Sequence, residues 1–171
     1  MLKQKTILFA TLLIMGACVH LSAEADAGAE TNNVLGTWIT EGYGAKVEIA
    51  PCRDNAETLC GRITWLWEDV DKQGRPTRDA ENPDRDKRDR PLIGVEMLTG
   101  FAPADKGQGA KGANAWDGGE IYDPGSGRTY RSKMQLCGRH ILEVKGCVLV
   151  ICDGQIWRRP APGLTEMAKG E

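Results

Sequence analysis

The sequence has no excess of charge of either sign: 22 lysines and arginines stand against 24 aspartates and glutamates, a formal net charge of −2. A chain so balanced carries no bulk field to recruit nucleic acid or an anionic membrane, which argues against a nucleic-acid binder. Histidine is scarce, with two in 171 residues, and there is no C-x-x-C pair, so a zinc site has little to be built from. The one histidine beyond the N-terminal region, His140, has no serine or aspartate constellation beside it and reads as a core or hairpin residue in a strand with Leu142. Asp79, Glu81, Asp84 and Asp86 lack the Asx spacing and closing glutamate of an EF-hand loop, and Arg78, Arg85, Lys87 and Arg88 among them oppose a cation. The glycine-rich run "GGEIYDPGSGRTY" leads into a strand, not a helix N-terminus, so it is no phosphate cradle. These absences point to a non-enzymatic protein without metal or cofactor. Past the first residues no stretch has a helical apolar period or the length of a bilayer span.

What is present begins at the N-terminus. Lys3 and Lys5 precede the uncharged apolar run Thr6 to Ala17, too short to span a bilayer but the size of a secretory signal core. An A-x-A site at Ala23-Glu24-Ala25 follows, so residues 1–25 are expected to be a cleaved signal, cut after Ala25 or Ala23. The competing reading is the lipobox-like "MGAC", in which Cys18 is lipidated and becomes the new N-terminus. The first reading gives a soluble periplasmic or secreted protein and the second a lipid-anchored one. The remainder suits one domain over 34–160, flanked by a flexible lead at 26–33 and a flexible tail at 161–171.

Five cysteines survive loss of Cys18. In an exported chain they read as disulfide candidates. Cys52 and Cys60 flank a polar connection between two strand-like runs, and Cys147 and Cys152 flank "VLVI" in the same way, so each pair is expected to staple its own hairpin. Cys137 is left over, as a buried thiol or as an alternative partner for Cys147.

Period-two alternation dominates the rest. Ala45, Val47 and Ile49 alternate with Lys46 and Glu48; Tyr130, Ser132, Met134 and Leu136 alternate with Arg131, Lys133 and Gln135; Leu142 and Val144 alternate with Glu143 and Lys145. In "TLCGRITWLW" the same period puts Ile63, Trp65 and Trp67 on one face. Several further short runs bring the total to about eight strands, an all-β antiparallel sandwich or barrel; the small up-and-down barrel is favoured because a meander that closes on itself removes both sheet edges. Two long loops interrupt it: the charged Glu68 to Arg90, read as a solvated surface excursion, and the Gly/Ala-rich Ala102 to Gly119. Both are expected over the open end of the barrel.

The strand series starts with Gly36-Thr37-Trp38 and ends with Trp157-Arg158-Arg159. This resembles the calycin barrels, the lipocalins and their relatives, in which a G-x-W on the first strand packs beneath an arginine of the last; Arg158 or Arg159 would be that arginine. "LCGRITWLW", "DAENPD", "RPLIGVEML", "WDGGEIYDPGSGRTY" and "GCVLVICDGQIWRR" together resemble, in order and spacing, the bacterial exported family called domain of unknown function 2147. The resemblance implies a small, secreted, mostly β protein with no assigned activity, and its motif positions include Asp79, Asn82, Arg90, Gly94, Asp123 and Trp157. The dense charge between Asp84 and Arg90 and the presence of Cys137 depart from the family pattern. The resulting expectation is a barrel that binds a small apolar or amphipathic ligand, with Trp65, Trp116, Tyr122, Tyr130 and Met134 as candidate contacts and Val47, Ile63 and Val144 lining the interior. The alternative is an envelope interaction module, acting on another envelope component through the charged loop 68–90.

Overall fold

The computed structural model describes residues 33–104 and 114–161. The expected signal at 1–25 with Cys18, the lead up to residue 32, the tail from residue 162 and the stretch 105–113 lie outside the described residues. Eight strands follow one another: β1 (Gly36–Ile39), β2 (Ala45–Pro51), β3 (Leu59–Leu66), β4 (Glu96–Pro103), β5 (Ala115–Asp123), β6 (Arg128–Leu136), β7 (Ile141–Val148) and β8 (Ile151–Arg158). Each pairs antiparallel with the next, and β8 returns to β1 to close the barrel. Besides strands, the described residues form two single 3-10 turns, Glu41–Tyr43 and Arg85–Lys87.

The alternation read from the sequence is the inside–outside alternation of this barrel. Val47, Ile49, Ile63, Met134, Leu142 and Val144 are buried, while the charged residues between them face out. Glycines set how closely the interior packs. A Cβ on Gly119 would lie 2.5 Å from the Phe101 ring, and one on Gly61 would lie 2.9 Å from both Leu98 and Val47. The large side chains of β4 therefore fill the space over β3 and β5 at the level of these glycines.

An up-and-down barrel sends successive connections to opposite ends. The β1–β2, β3–β4, β5–β6 and β7–β8 connections share one end, here called the rim. The β2–β3, β4–β5 and β6–β7 connections share the other, the floor. The expectation that both long loops roof one opening is thus corrected: the charged β3–β4 loop sits at the rim, and the Gly/Ala-rich segment leaves β4 at the floor. That second segment is also shorter than expected, since β4 runs to Pro103 and β5 begins at Ala115.

The floor is closed by the residues around the start of β1 and the end of β8. Trp38 and Trp157 are fully buried, and the Trp38 indole donates to the Val34 carbonyl at 2.7 Å. Arg159, not Arg158, covers the Trp38 ring at 4.0 Å and donates to the carbonyls of Asn33, Leu35 and Thr37 at 2.6, 2.7 and 3.2 Å. Gly36, at φ 97°, leaves room for that guanidinium; a Cβ there would lie 3.1 Å from it. The clasp matters because the β1–β8 seam is thin. A single register pair, Ile39 with Arg158, joins the strands, and Glu41 supplements it by accepting the Ile156 amide at 2.9 Å.

Both expected disulfides are present. Cys52–Cys60 closes the β2–β3 hairpin at the floor and Cys147–Cys152 closes the β7–β8 hairpin at the rim; Cys137 is free but exposed just past the end of β6, which corrects the expectation of a buried thiol. His140 lies exposed in the β6–β7 turn and not in a strand.

Candidate functional site: a rim cavity and a buried carboxylate

At the rim the interior is not filled. A cavity of about 390 Å³ opens there, walled by residues of β5 to β8 and by Met97 of β4. Ile121, Tyr130, Val144 and Gly146 form its depth; Asp153 and Gln155 add polar groups. Room is left where β6 and β7 carry small residues: Gly146 faces Ser132 across the β6–β7 ladder, and Ser132 turns its hydroxyl to the Lys145 carbonyl at 2.8 Å. The cavity lining is mixed, with apolar side chains and polar atoms in nearly equal share, more polar than the usual small-molecule site and suited to an amphipathic molecule.

Of the five expected contacts, Tyr122 and Tyr130 line this cavity. Met134 faces inward but sits deeper, in the packed core. Trp116 is partly buried against that core at the start of β5, toward the floor. Trp65 stands outside the barrel. A register shift between Lys46 and Val47 leaves Thr64 without an opposite residue, so Trp65 pairs with outward-facing Lys46, whose ammonium lies 5.1 Å from its ring. Trp67 packs edge-on against Trp65 at 6.2 Å and is exposed. The expectation that Trp65 lines the interior is corrected by that one-residue bulge.

The rim also holds the one ionisable side chain that is fully buried among the described residues, Asp79. It comes from the charged loop, which is a folded layer at this point and not the solvated excursion expected. Arg90 donates to Asp79 Oδ2 through Nε at 2.9 Å and Nη2 at 2.7 Å, and Asn82 Nδ2 donates to the same oxygen at 2.7 Å. The Tyr122 hydroxyl donates to Oδ1. Burial pushes the Asp79 carboxyl up, but the hydrogen bonds from Tyr122, Asn82 and Arg90, together with the Arg90 charge, hold it below its ordinary value of 3.8. Tyr122 is pushed up to about 12, by burial first and then by the hydrogen bond to Asp79 and its charge. The pair is therefore a carboxylate and a neutral phenol at any physiological pH.

This cluster fastens the loop to the rim. Asp79 and Arg90 also pair through their backbones, Asp79 N to Arg90 O at 3.0 Å, and Arg88 Nε caps the Asn82 carbonyl at 2.7 Å. The loop then presses on the β5–β6 turn: a Cβ on Gly127, at φ 67°, would lie 1.8 Å from the Glu81 carbonyl oxygen. Asp123 shapes that turn, accepting from the Gly125 amide at 3.0 Å and the Ser126 hydroxyl at 2.6 Å. Gly94, at φ 97°, lets the loop rejoin β4, with its carbonyl capped by Arg62 at 2.7 Å. Asp79, Asn82, Arg90, Gly94, Asp123 and Trp157 are thus all occupied in shaping the barrel and its rim. Sequence reasoning placed them by motif but missed the contact of Tyr122 with Asp79. The available signal was Asn82-Pro83 embedded among charges, a turn with no reason to recur in a freely solvated loop.

Comparisons with known proteins agree with this architecture. The family model described as "Uncharacterized protein conserved in bacteria (DUF2147)" matches residues 36–159. Among solved structures, protein HP1028 from the human pathogen Helicobacter pylori, which belongs to the lipocalin family, superposes with a TM-score of 0.62 at 18% identity, covering 77% of this chain and 86% of that one. No curated protein matches the sequence.

Proposed function

The chain belongs to the DUF2147 family, and we propose that it is an exported, non-enzymatic barrel that binds one small apolar or amphipathic ligand at the rim. The observation that carries this reading is the cavity of about 390 Å³ lined by Ile121, Tyr130 and Val144, within the size range of ordinary small-molecule sites. An apolar body would lie against these side chains, and a polar head would meet Asp153 and Gln155 at the mouth. Two disulfides, together with lysines ahead of a short apolar run, support an oxidising compartment outside the cytoplasm. The non-enzymatic part rests on Asp79: this buried carboxylate has its acceptor capacity taken up by Tyr122, Asn82 and Arg90, leaving it no geometry for work on a substrate.

The test is titration of the protein with a fluorescent fatty acid, an isoprenoid and an aromatic probe, repeated on Gly146→Leu. A Cβ at Gly146 meets Ile121 at 3.5 Å and Tyr130 at 3.6 Å, ordinary contacts, so leucine there fills the cavity while the strand is kept. Saturable binding of at least one probe, weakened about tenfold or more by Gly146→Leu, is expected. No binding below millimolar concentration, or equal binding by the variant, overturns the reading.

A further inference from the structure

The β7–β8 hairpin ends in an apolar tip. Val148, Leu149, Val150 and Ile151 follow one another without a charge; Leu149 is 97% and Val150 94% exposed. The tip is held out. Cys147 and Cys152 are directly opposed and bonded at its base, and Leu149 sits at φ 55°, a left-handed conformation uncommon for a residue of its size. Val148 and Ile151 belong to the cavity wall as well, so the apolar tip runs directly into the cavity mouth. Arg131, cross-strand partner of Cys147 on one side and Glu120 on the other, and Arg128, opposite Asp123 at the start of β6, are exposed. Neither forms an ion pair among the described residues, so both guanidinium groups are open to an external anion.

We propose that this tip inserts into a lipid surface with anionic headgroups. Leu149 and Val150 enter the acyl layer, Arg128 and Arg131 meet the headgroups, and the barrel takes up its amphipathic ligand there without passing it through water. The last step rests on the ligand reading above; the docking does not. Area favours a lipid over a protein partner. Four residues at a convex tip bury far less than the roughly 800 Å² per partner of a stable protein interface. Insertion into acyl chains needs no complementary socket and scales with apolar area and attraction to anionic lipid. The disulfide keeps two adjacent apolar side chains from collapsing onto their own barrel, which suits a wedge.

The experiment uses the full chain and vesicles of phosphatidylethanolamine with or without phosphatidylglycerol. Leu149→Trp is compared with wild type in vesicles whose acyl chains carry bromine. The emission added by the new tryptophan should be quenched, and unquenched added emission overturns the proposal whatever else in the chain touches the membrane. In co-sedimentation, Leu149→Asp with Val150→Asp should lower the bound fraction about tenfold or more, and Arg128→Gln with Arg131→Gln should abolish the preference for phosphatidylglycerol. Binding by the double aspartate variant equal to wild type overturns the insertion. Sedimentation velocity without lipid should show no self-association that the aspartates remove; such self-association would assign the tip to a second copy and overturn the proposal. Titration of the soluble fluorescent fatty acid without vesicles keeps the two readings apart. The aspartate variant should bind it as wild type does, so loss of vesicle binding with retained probe binding speaks to the tip alone.

Discussion

Replacing Asp79 by alanine tests whether the charged loop is a fastened layer of the rim or a surface excursion. The carboxylate is fully buried and carries four side-chain hydrogen bonds from three residues. Its removal strands the Tyr122 hydroxyl and one Arg90–carboxylate pair, while Asn82 keeps a weaker contact with Tyr122 at 3.2 Å. Breaking a buried pair by deleting one partner costs about 3 to 5 kcal/mol. The lower end applies, because the Arg90 side chain is 39% exposed and can turn to water. Urea unfolding should therefore show a loss of about 3 kcal/mol with an unchanged slope, and hydrogen exchange should show residues 77–92 losing protection ahead of the strands. Arg90→Leu combined with Asp79→Ala should cost less than the two single changes added, by about 1 to 3 kcal/mol. The pH dependence has a fixed sign. The folded-state pKa of Asp79 is depressed, so its contribution is complete above the ordinary value of 3.8 and is lost as pH falls through the folded value. Asp79→Asn should accordingly flatten the acid limb of the stability curve. A loss below about 1 kcal/mol for Asp79→Ala, with the acid limb unchanged in Asp79→Asn, would refute the fastening.

Arg159→Lys keeps the charge but not the fork that reaches three carbonyls, and should cost about 2 to 3 kcal/mol by urea unfolding; Trp38→Ala, which removes the ring beneath it, should cost about 3 to 5 kcal/mol and leave probe binding at the opposite end nearly unchanged. Gly127→Ala meets the Glu81 carbonyl at 1.8 Å and should cost about 2 kcal/mol or more, whereas Gly118→Ala, with φ of 72° but open space, should cost about 1 kcal/mol; equal midpoints for the two would show that the loop does not press on the turn. Non-reducing peptide mapping should find Cys52 joined to Cys60, Cys147 to Cys152, and one free thiol at Cys137; a link between Cys137 and Cys147 would overturn the hairpin pairing.

What the sequence reveals here and what it hides divide along the range of the interactions involved. The strands and the disulfides were legible because their causes are local: a period of two marks a half-buried strand, and a cysteine pair flanking one short connection can meet without help from the rest of the chain. The closure was legible because G-x-W and a terminal arginine sit at the two ends of a meander that must join. Trp65 was misread because one extra residue, Thr64, flips the faces after it, and a bulge leaves no mark in an alternating pattern. The fastened loop was hidden for a different reason. Asp79 finds Tyr122 across 43 positions, and a carboxylate among arginines looks the same in sequence whether it is solvated or buried. This division also bears on where function resides. The residues read as motif positions from the resemblance, Asp79, Asn82, Arg90, Gly94, Asp123 and Trp157, are occupied in holding the rim and floor in shape. The cavity wall is made of Ile121, Tyr130, Val144 and Gly146 and the tip of Leu149 and Val150. If the barrel binds a ligand as proposed, its preference is to be sought in the cavity wall and tip, because those side chains, unlike Asp79 or Trp157, are not tied into the fastening of rim and floor.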